Sequence, residues 1–294
     1  MEKKVKILLT GSEGNLGFSI KDKLKNFKNI ILANKKKLNF NNLNSINNFL
    51  NKNKPDIIIN TAAYTNVDGA EKNKNICYKV NALAPKKIAD WSYKNNSYLI
   101  HFSTDYVFDG KKKTPWNEKD KPKPLNFYGK SKYDGEKFII NSKCKFILLR
   151  VAWLYSDRKN NFPQKIIKKI LEEDKIYVIK DQIGTPNHVE FISEITIKVL
   201  KKIIKNFDIK SNIFHVSLKG QTSYYNWAKK IKIKLKNNNC KILPVSHKKF
   251  KTIAKRPLNS IFSCNSLEKF LKIKIPNWEK VFKKKANIII KNSN

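Results

Sequence analysis

Apolar residues in this chain come in short, nearly unbroken runs such as 5–9, 57–59 and 146–149, set apart by stretches where they recur every three or four positions. The runs predict strands near 5–9, 29–33, 56–60, 98–103 and 145–150. The intervening stretches predict helices near 15–27, 43–53, 72–95 and 127–142. Continuous runs, unlike alternating ones, suit strands covered on both faces, and each helix is long enough for a right-handed crossover. The expected fold is therefore α/β: a doubly wound parallel sheet. After Arg150 the texture changes, with shorter runs and prolines at 186, 244, 257 and 276. This predicts a domain over 1–150 and a smaller lobe over 151–294, some of whose segments return to the sheet. The lobe's helices are expected near 160–173, 187–206, 222–237 and 277–285, with extended pieces near 176–179, 212–217 and 242–245. No internal repeat appears, and the Lys/Asn tracts at 34–37 and 236–239 fall at expected loops or helix ends.

With 294 residues, 40% of them hydrophobic, the chain can bury a sizeable core. The formal charge of +39 raises nucleic-acid binding, but only Arg150, Arg158 and Arg256 among the 62 basic residues are arginines. Base edges and phosphates are read best by arginine. Lysine also travels here with asparagine and isoleucine, as in adenine- and thymine-rich coding sequence, so no nucleic-acid or membrane partner is expected. An anionic ligand would still be drawn in by that field. Cys77, Cys144, Cys240 and Cys264 form no close pair of the kind used for zinc or redox work. No carboxylate cluster announces a metal site. Met1-Glu2-Lys3-Lys4 leads straight into the first strand, and no apolar stretch approaches a membrane span, so a cytoplasmic location is expected.

The first strand ends in Thr10-Gly11-Ser12-Glu13-Gly14-Asn15-Leu16-Gly17, directly before a helical pattern. Gly-x-x-Gly-x-x-Gly in that context is a phosphate cradle, with glycines for the tight turn and close packing and a helix N-terminus facing the pyrophosphate. The second strand ends in Ala33-Asn34-Lys35-Lys36-Lys37. An acidic residue for a ribose 2′-hydroxyl is missing there and three lysines follow, which leans towards NADPH over NADH. After the third strand come Ala62, Ala63 and Tyr64, small enough at first to let a backbone lie under the cofactor. The richest constellation is Ser103-Thr104-Asp105-Tyr106-Val107-Phe108-Asp109-Gly110 followed by Tyr128-Gly129-Lys130-Ser131-Lys132. Tyr128 and Lys132 stand four apart on one helix face. The ammonium is expected to draw the phenol towards a working general acid, and the Thr104 hydroxyl to hydrogen-bond the reacting carbonyl.

These segments resemble the dTDP-4-dehydrorhamnose reductases, a branch of the extended short-chain dehydrogenases/reductases with a Rossmann fold. The resemblance runs through 60–68, 103–110, 128–136, Arg150-Val151-Ala152-Trp153, Asp181-Gln182-Ile183-Gly184-Thr185-Pro186 and Arg256-Pro257-Leu258-Asn259-Ser260. It implies NADPH-dependent reduction of the 4-keto group of dTDP-4-dehydrorhamnose to dTDP-L-rhamnose, the last step of dTDP-rhamnose biosynthesis. Thr104, Tyr128 and Lys132 would be catalytic, with Lys132 also holding ribose hydroxyls. Gly11, Glu13, Gly14, Asn15, Leu16, Gly17, Asn39, Ala62, Ala63, Tyr64, Tyr128 and Lys132 would meet the cofactor. Val67, Thr104, Asp105, Tyr106, Trp153 and Arg256 would meet the dTDP-linked 4-keto-6-deoxy sugar. For Trp153 a core or lobe-interface ring, and for Arg256 pairing with a local carboxylate, stand as the alternatives. The chain departs from the family at Leu38-Asn39, where an aspartate is usual, and across 150–156.

Three other readings stay open: a sister reductase of another nucleotide-linked keto-deoxysugar, lysine-driven nucleic-acid binding, and a non-catalytic subunit on the same fold, like the beta subunit of methionine adenosyltransferase. Retention of Thr104, Tyr128 and Lys132 together weighs against the last. Use of NADH, a homodimer and a Mg²⁺ requirement are left undecided by the residues.

Overall fold

The computed structural model describes residues 5–158, 161–236 and 239–292. The expected helix start at 160, the helix end at 237 and part of the tract at 236–239 lie outside those residues. Five strands, β1 (Ile7–Thr10), β2 (Ile30–Ala33), β3 (Ile57–Asn60), β4 (Tyr98–Thr104) and β5 (Lys145–Val151), fall where the apolar runs place them. They form a parallel sheet in which β5 is followed at one edge by Asn212–Val216, with the order Asn212–Val216, β5, β4, β3, β1, β2. Alternate strand residues go to opposite faces. Leu8, Ile58, Leu99 and Leu148 enter one buried cluster, while Ile7, Leu9, Ile57, Ile100 and Leu149 enter the other. That two-sided burial is why the runs are continuous.

The crossovers include α1 (Asn15–Lys23), α2 (Leu43–Asn53), α3 (Val67–Lys72), α4 (Lys74–Tyr78), α5 (Ala84–Lys94) and α6 (Phe127–Asn141). The helix expected over 72–95 is a broken path. It starts earlier, at Val67, bends at Asn73, widens into a π-turn over Lys79–Leu83 and straightens at α5, where Pro85 sits in the first turn. The later chain divides between two places. Asn212–Val216 pairs in parallel with β5, and α8 (Val189–Lys205), which follows α7 (Phe162–Glu172), packs on α1. Ser19 donates to Ser193 at 3.0 Å across that contact. The rest is an aromatic lobe around α7, α9 (Tyr224–Leu235) and α11 (Trp278–Lys291), which follows the short α10 (Asn265–Leu271). A parallel two-stranded pair, Lys175–Ile179 with Lys241–Val245, borders the lobe. The helix α10 had no counterpart in the periodicity. Among the described residues no helix is long and apolar enough to cross a membrane, and all four cysteines are buried thiols.

Candidate active site

The carboxyl ends of β1, β3, β4 and β5 open on one edge of the sheet, and the strand order reverses between β1 and β3. A parallel sheet binds ligands outside that point. There Gly11 holds a φ of +66°, and a Cβ on it would sit 2.7 Å from the Ala62 nitrogen. A Cβ on Gly17 would lie 2.1 Å from the Gly11 carbonyl, so α1 can press on its own turn only as glycine. Gly14 is different: its nearest neighbour is the Gly11 carbonyl at 3.4 Å, and it faces outward with Glu13 and Asn15. The result is an exposed helix N-terminus rimmed by backbone amides, which fits a dinucleotide pyrophosphate.

Around the cradle stand groups that the sequence pattern did not single out. Arg158 donates to the Glu13 carbonyl at 2.8 Å and lies 4.5 Å over the Phe18 ring. The Asn34 amide donates to the Glu13 carboxylate at 2.6 Å. A carboxylate from the cradle thus lies at the end of β2, beside the exposed Lys35, Lys36 and Lys37. Asn39 is exposed and accepts from the Asn41 amide. Asn81, on the π-turn, grips Tyr64 by both its amide (2.9 Å) and its carbonyl (3.0 Å), which fixes the loop carrying Ala62, Ala63 and Tyr64. Leu16 is half-buried.

Across the crevice, α6 begins at Phe127 with the Asn126 side chain accepting from the Gly129 amide. Tyr128 and Lys132 therefore stand one turn apart at its start. The Tyr106 ring meets that of Tyr128 edge-on, with centroids 5.5 Å apart. Burial is the largest influence on the Tyr128 phenol and pushes its pKa up, and a hydrogen bond with Thr104 partly offsets this. The expected phenol–ammonium partnership is not made. Lys132 is 3% exposed, its Nζ donates to the Phe102 carbonyl at 2.6 Å and meets His101 Nε2 at 3.3 Å, and burial lowers its pKa to about 8. A carbonyl is the stronger acceptor for a buried ammonium.

Thr104 also differs from expectation. Its hydroxyl donates to the Asp105 carboxylate at 3.0 Å and accepts from the Tyr106 amide at 3.2 Å. A carboxylate only accepts, so the Thr104 hydrogen points at Asp105 and the oxygen faces Tyr128. Asp105 itself is 3% exposed. Its second oxygen takes the Ser260 hydroxyl at 2.5 Å, and burial raises its pKa to about 6. The carboxylate expected to meet a substrate is instead turned inward, because two hydroxyls and two backbone amides satisfy it there.

Val67 opens α3, half-buried, near Tyr106 and Arg256 through its neighbour Asp68. Arg256 binds Asp68 at 2.7 Å, and this hydrogen bond holds the Asp68 carboxyl below its usual range. The local-carboxylate alternative for Arg256 is the one the structure displays. Trp153, at φ +46°, stacks on Tyr224 with centroids 3.9 Å apart and planes at 10°, while its ring lies against Gly184. The flat face expected to await a sugar is occupied by Tyr224, and the indole is half-buried.

The chain is similar to known proteins along nearly its whole length. Residues 5–289 match the family described as the RmlD substrate binding domain. The chain is 32% identical to dTDP-4-dehydrorhamnose reductase of Aggregatibacter actinomycetemcomitans over 95% of its length and 97% of the relative's. The crystal structure of dTDP-4-dehydrorhamnose reductase from Bacillus anthracis in complex with NADP superposes with a TM-score of 0.87 at 34% identity, covering 96% of this chain and 98% of that one. A Clostridium acetobutylicum dTDP-4-dehydrorhamnose reductase gives 0.90 at 33% identity, covering 97% and 99%.

Proposed function

The chain belongs to the RmlD substrate binding domain family, and from that premise we propose that it reduces the 4-keto group of dTDP-4-dehydrorhamnose to dTDP-L-rhamnose with NADPH. What supports the reading is that Thr104 ends β4 and Tyr128 and Lys132 open α6, near the sheet's switch point and the outward-facing glycine cradle after β1. The cradle residues Gly11, Glu13, Gly14, Asn15, Leu16 and Gly17, with Ala62, Ala63 and Tyr64, would hold NADPH, and Arg158 adds a cation at the cradle's rim. NADPH, when bound, supplies the hydride that adds to the sugar's C4.

The chain's own residues deal with the proton and with position. Tyr128 gives its phenolic proton to the carbonyl oxygen as negative charge develops there. Its raised pKa keeps the phenol protonated beforehand. Thr104 orients that phenol, and Asp105 orients Thr104, so Asp105 is a positioning residue. Lys132 directs its remaining N–H groups towards the ribose hydroxyls. Val67, Tyr106 and the free edge of Trp153 form the sugar side, and Arg256 holds α3 against that side through Asp68. Residues 1–150 act as the nucleotide half and 151–294 mainly as the sugar half. The test is NADPH oxidation with dTDP-4-dehydrorhamnose, read as loss of the reduced nicotinamide's absorbance. Turnover with another nucleotide-linked keto-deoxysugar but not this one would move the assignment to a sister reductase, and cofactor binding without any turnover would favour a regulatory subunit.

A further inference from the structure

One row of side chains crosses the sheet beneath the crevice. Thr10, Asn60 and His101 lie at paired positions of β1, β3 and β4, and Lys132 meets the row from α6. Thr10, Asn60 and His101 are each at most 1% exposed. The Thr10 hydroxyl donates to Asn60 Oδ1 at 2.7 Å, Asn60 Nδ2 meets His101 Nδ1 at 3.0 Å, and His101 Nε2 meets Lys132 Nζ at 3.3 Å.

Donor and acceptor counting fixes the hydrogens along this row. The Ala62 amide points at Asn60 Oδ1 at 3.2 Å, and a backbone N–H can only donate. Asn60 therefore has its oxygen towards Ala62 and Thr10 and its NH₂ towards His101. His101 Nδ1 must accept. Burial, reinforced by the charge on Lys132, holds this imidazole neutral, so its one hydrogen is on Nε2, facing a lysine that has only donors when charged. Of the ammonium's three N–H groups one is taken by the Phe102 carbonyl, and His101 refuses the others.

We propose that Asn60 and His101 are positioning residues that present a donor, not an acceptor, to Lys132 and so commit its remaining N–H groups to the crevice. The device shares the strand end that begins the cradle: the same Asn60 oxygen holds the Ala62 amide, so cofactor loop and catalytic lysine are set by one side chain. The inference deepens the cofactor-holding role read for Lys132 and rests on it. The other ionisable groups acting on Lys132 are Cys77 from α4 and Glu136 from α6, and Glu136 is paired with Arg150.

Two measurements on the full chain test this, and neither uses a sugar. Long-range ¹H–¹⁵N correlation spectra report each imidazole's tautomer, with His101 assigned by the signal lost in His101→Gln. A bare Nδ1 and a protonated Nε2 from pH 6 to 9 are expected, and an Nδ1–H or imidazolium form overturns the proposal. NADPH titration against pH then compares the wild type with His101→Gln, whose amide oxygen can accept from the ammonium. The variant should bind NADPH about tenfold more weakly at neutral pH, with the alkaline loss of binding moved to higher pH. A folded variant with an unmoved alkaline limb overturns the proposal, and if the variant does not fold, His101 is assigned by elimination with His188→Gln, His215→Gln and His247→Gln and the tautomer decides alone. Loss of sugar turnover with both results intact would fault the substrate reading and not this one.

Discussion

The sheet's switch point and the aromatic lobe are built in opposite ways. Around the crevice, Thr10, Asn60, His101, Lys132, Thr104, Asp105 and Ser260 form directional hydrogen bonds, each ending on a defined atom. In the lobe Trp153 stacks on Tyr224, and Phe162 packs tilted against Tyr224 and Trp227. Hydride and proton transfer tolerate little misplacement, so chemistry sits where angles are fixed. Recognition of a sugar ring needs shape, and stacked rings supply shape at low entropic cost.

Breaking the comparison on its directional side has the largest expected effect. Tyr128→Phe keeps the ring and removes the proton, and should lower kcat by about 10²–10⁴ while NADPH affinity stays within about twofold. Steady-state kinetics and a cofactor titration check this, and a fully active variant removes Tyr128 from the mechanism. Next comes the buried pair under α6, where Arg150 bonds both oxygens of Glu136 at 2.9 and 2.6 Å. Glu136→Leu leaves a buried guanidinium without its carboxylate and should cost about 3–5 kcal/mol in denaturant unfolding, most of it regained in Arg150→Met/Glu136→Leu. A double variant as weak as the single one would show that the pair is needed for more than mutual neutralisation.

On the lobe side the expected change is smaller. Trp153→Ala removes a stacking partner of Tyr224 and should weaken sugar binding by about 1–3 kcal/mol, seen as a raised KM for the keto-sugar. Equal loss of NADPH affinity would erase the partition between the halves. Acid sensitivity is smaller still per unit of pH. Burial, then Arg150, lowers the His215 pKa to about 3, and burial drives His101 well down. The unfolded chain protonates both near their ordinary value of 6.5, so their contribution is present above that pH and is lost as pH falls. Asp105 runs the other way, because its folded pKa is raised to about 6. Two against one leaves a net loss of stability as pH falls from roughly 6 towards 4. Unfolding midpoints flat over that window would mean these side chains are not held as described.

The least effect concerns cofactor choice. Lys35, Lys36 and Lys37 are exposed, and the Glu13 carboxylate sits beside Asn34, so NADPH should be preferred over NADH by less than about tenfold, with Glu13→Gln widening the gap. Ratios of kcat/KM for the two cofactors, compared between the two proteins, settle the sign.

Much of the catalytic face was legible because its signals are local. Gly11, Gly14 and Gly17 follow a strand and open a helix, and Tyr128 and Lys132 are one turn apart whatever the rest of the chain does. The strands were legible through two-sided burial. Partnerships across long separations were not. Arg256 finds Asp68 from 188 residues away, and Arg158 reaches Glu13 from 145. Periodicity carries no record of such distances. The inward turn of Asp105 depends on Ser260, also distant, and the orientation of Lys132 depends on a histidine that reads, in its run, as an ordinary core residue. The break at Asn73 and the π-turn after it escaped because an apolar stripe looks alike on a straight helix and a bent one.

Asn212–Val216 completes the sheet beside β5, and α8 covers α1. During synthesis the first 150 residues therefore emerge as a sheet whose β5 edge is open, in addition to the permanent β2 edge, and whose α1 flank is bare, until α8 and then residue 216 have left the ribosome. A long unpaired edge invites pairing with another chain. The unfinished β5 edge is thus exposed to pairing with other chains, and fragments ending near residue 150 should be less soluble than those ending beyond 216.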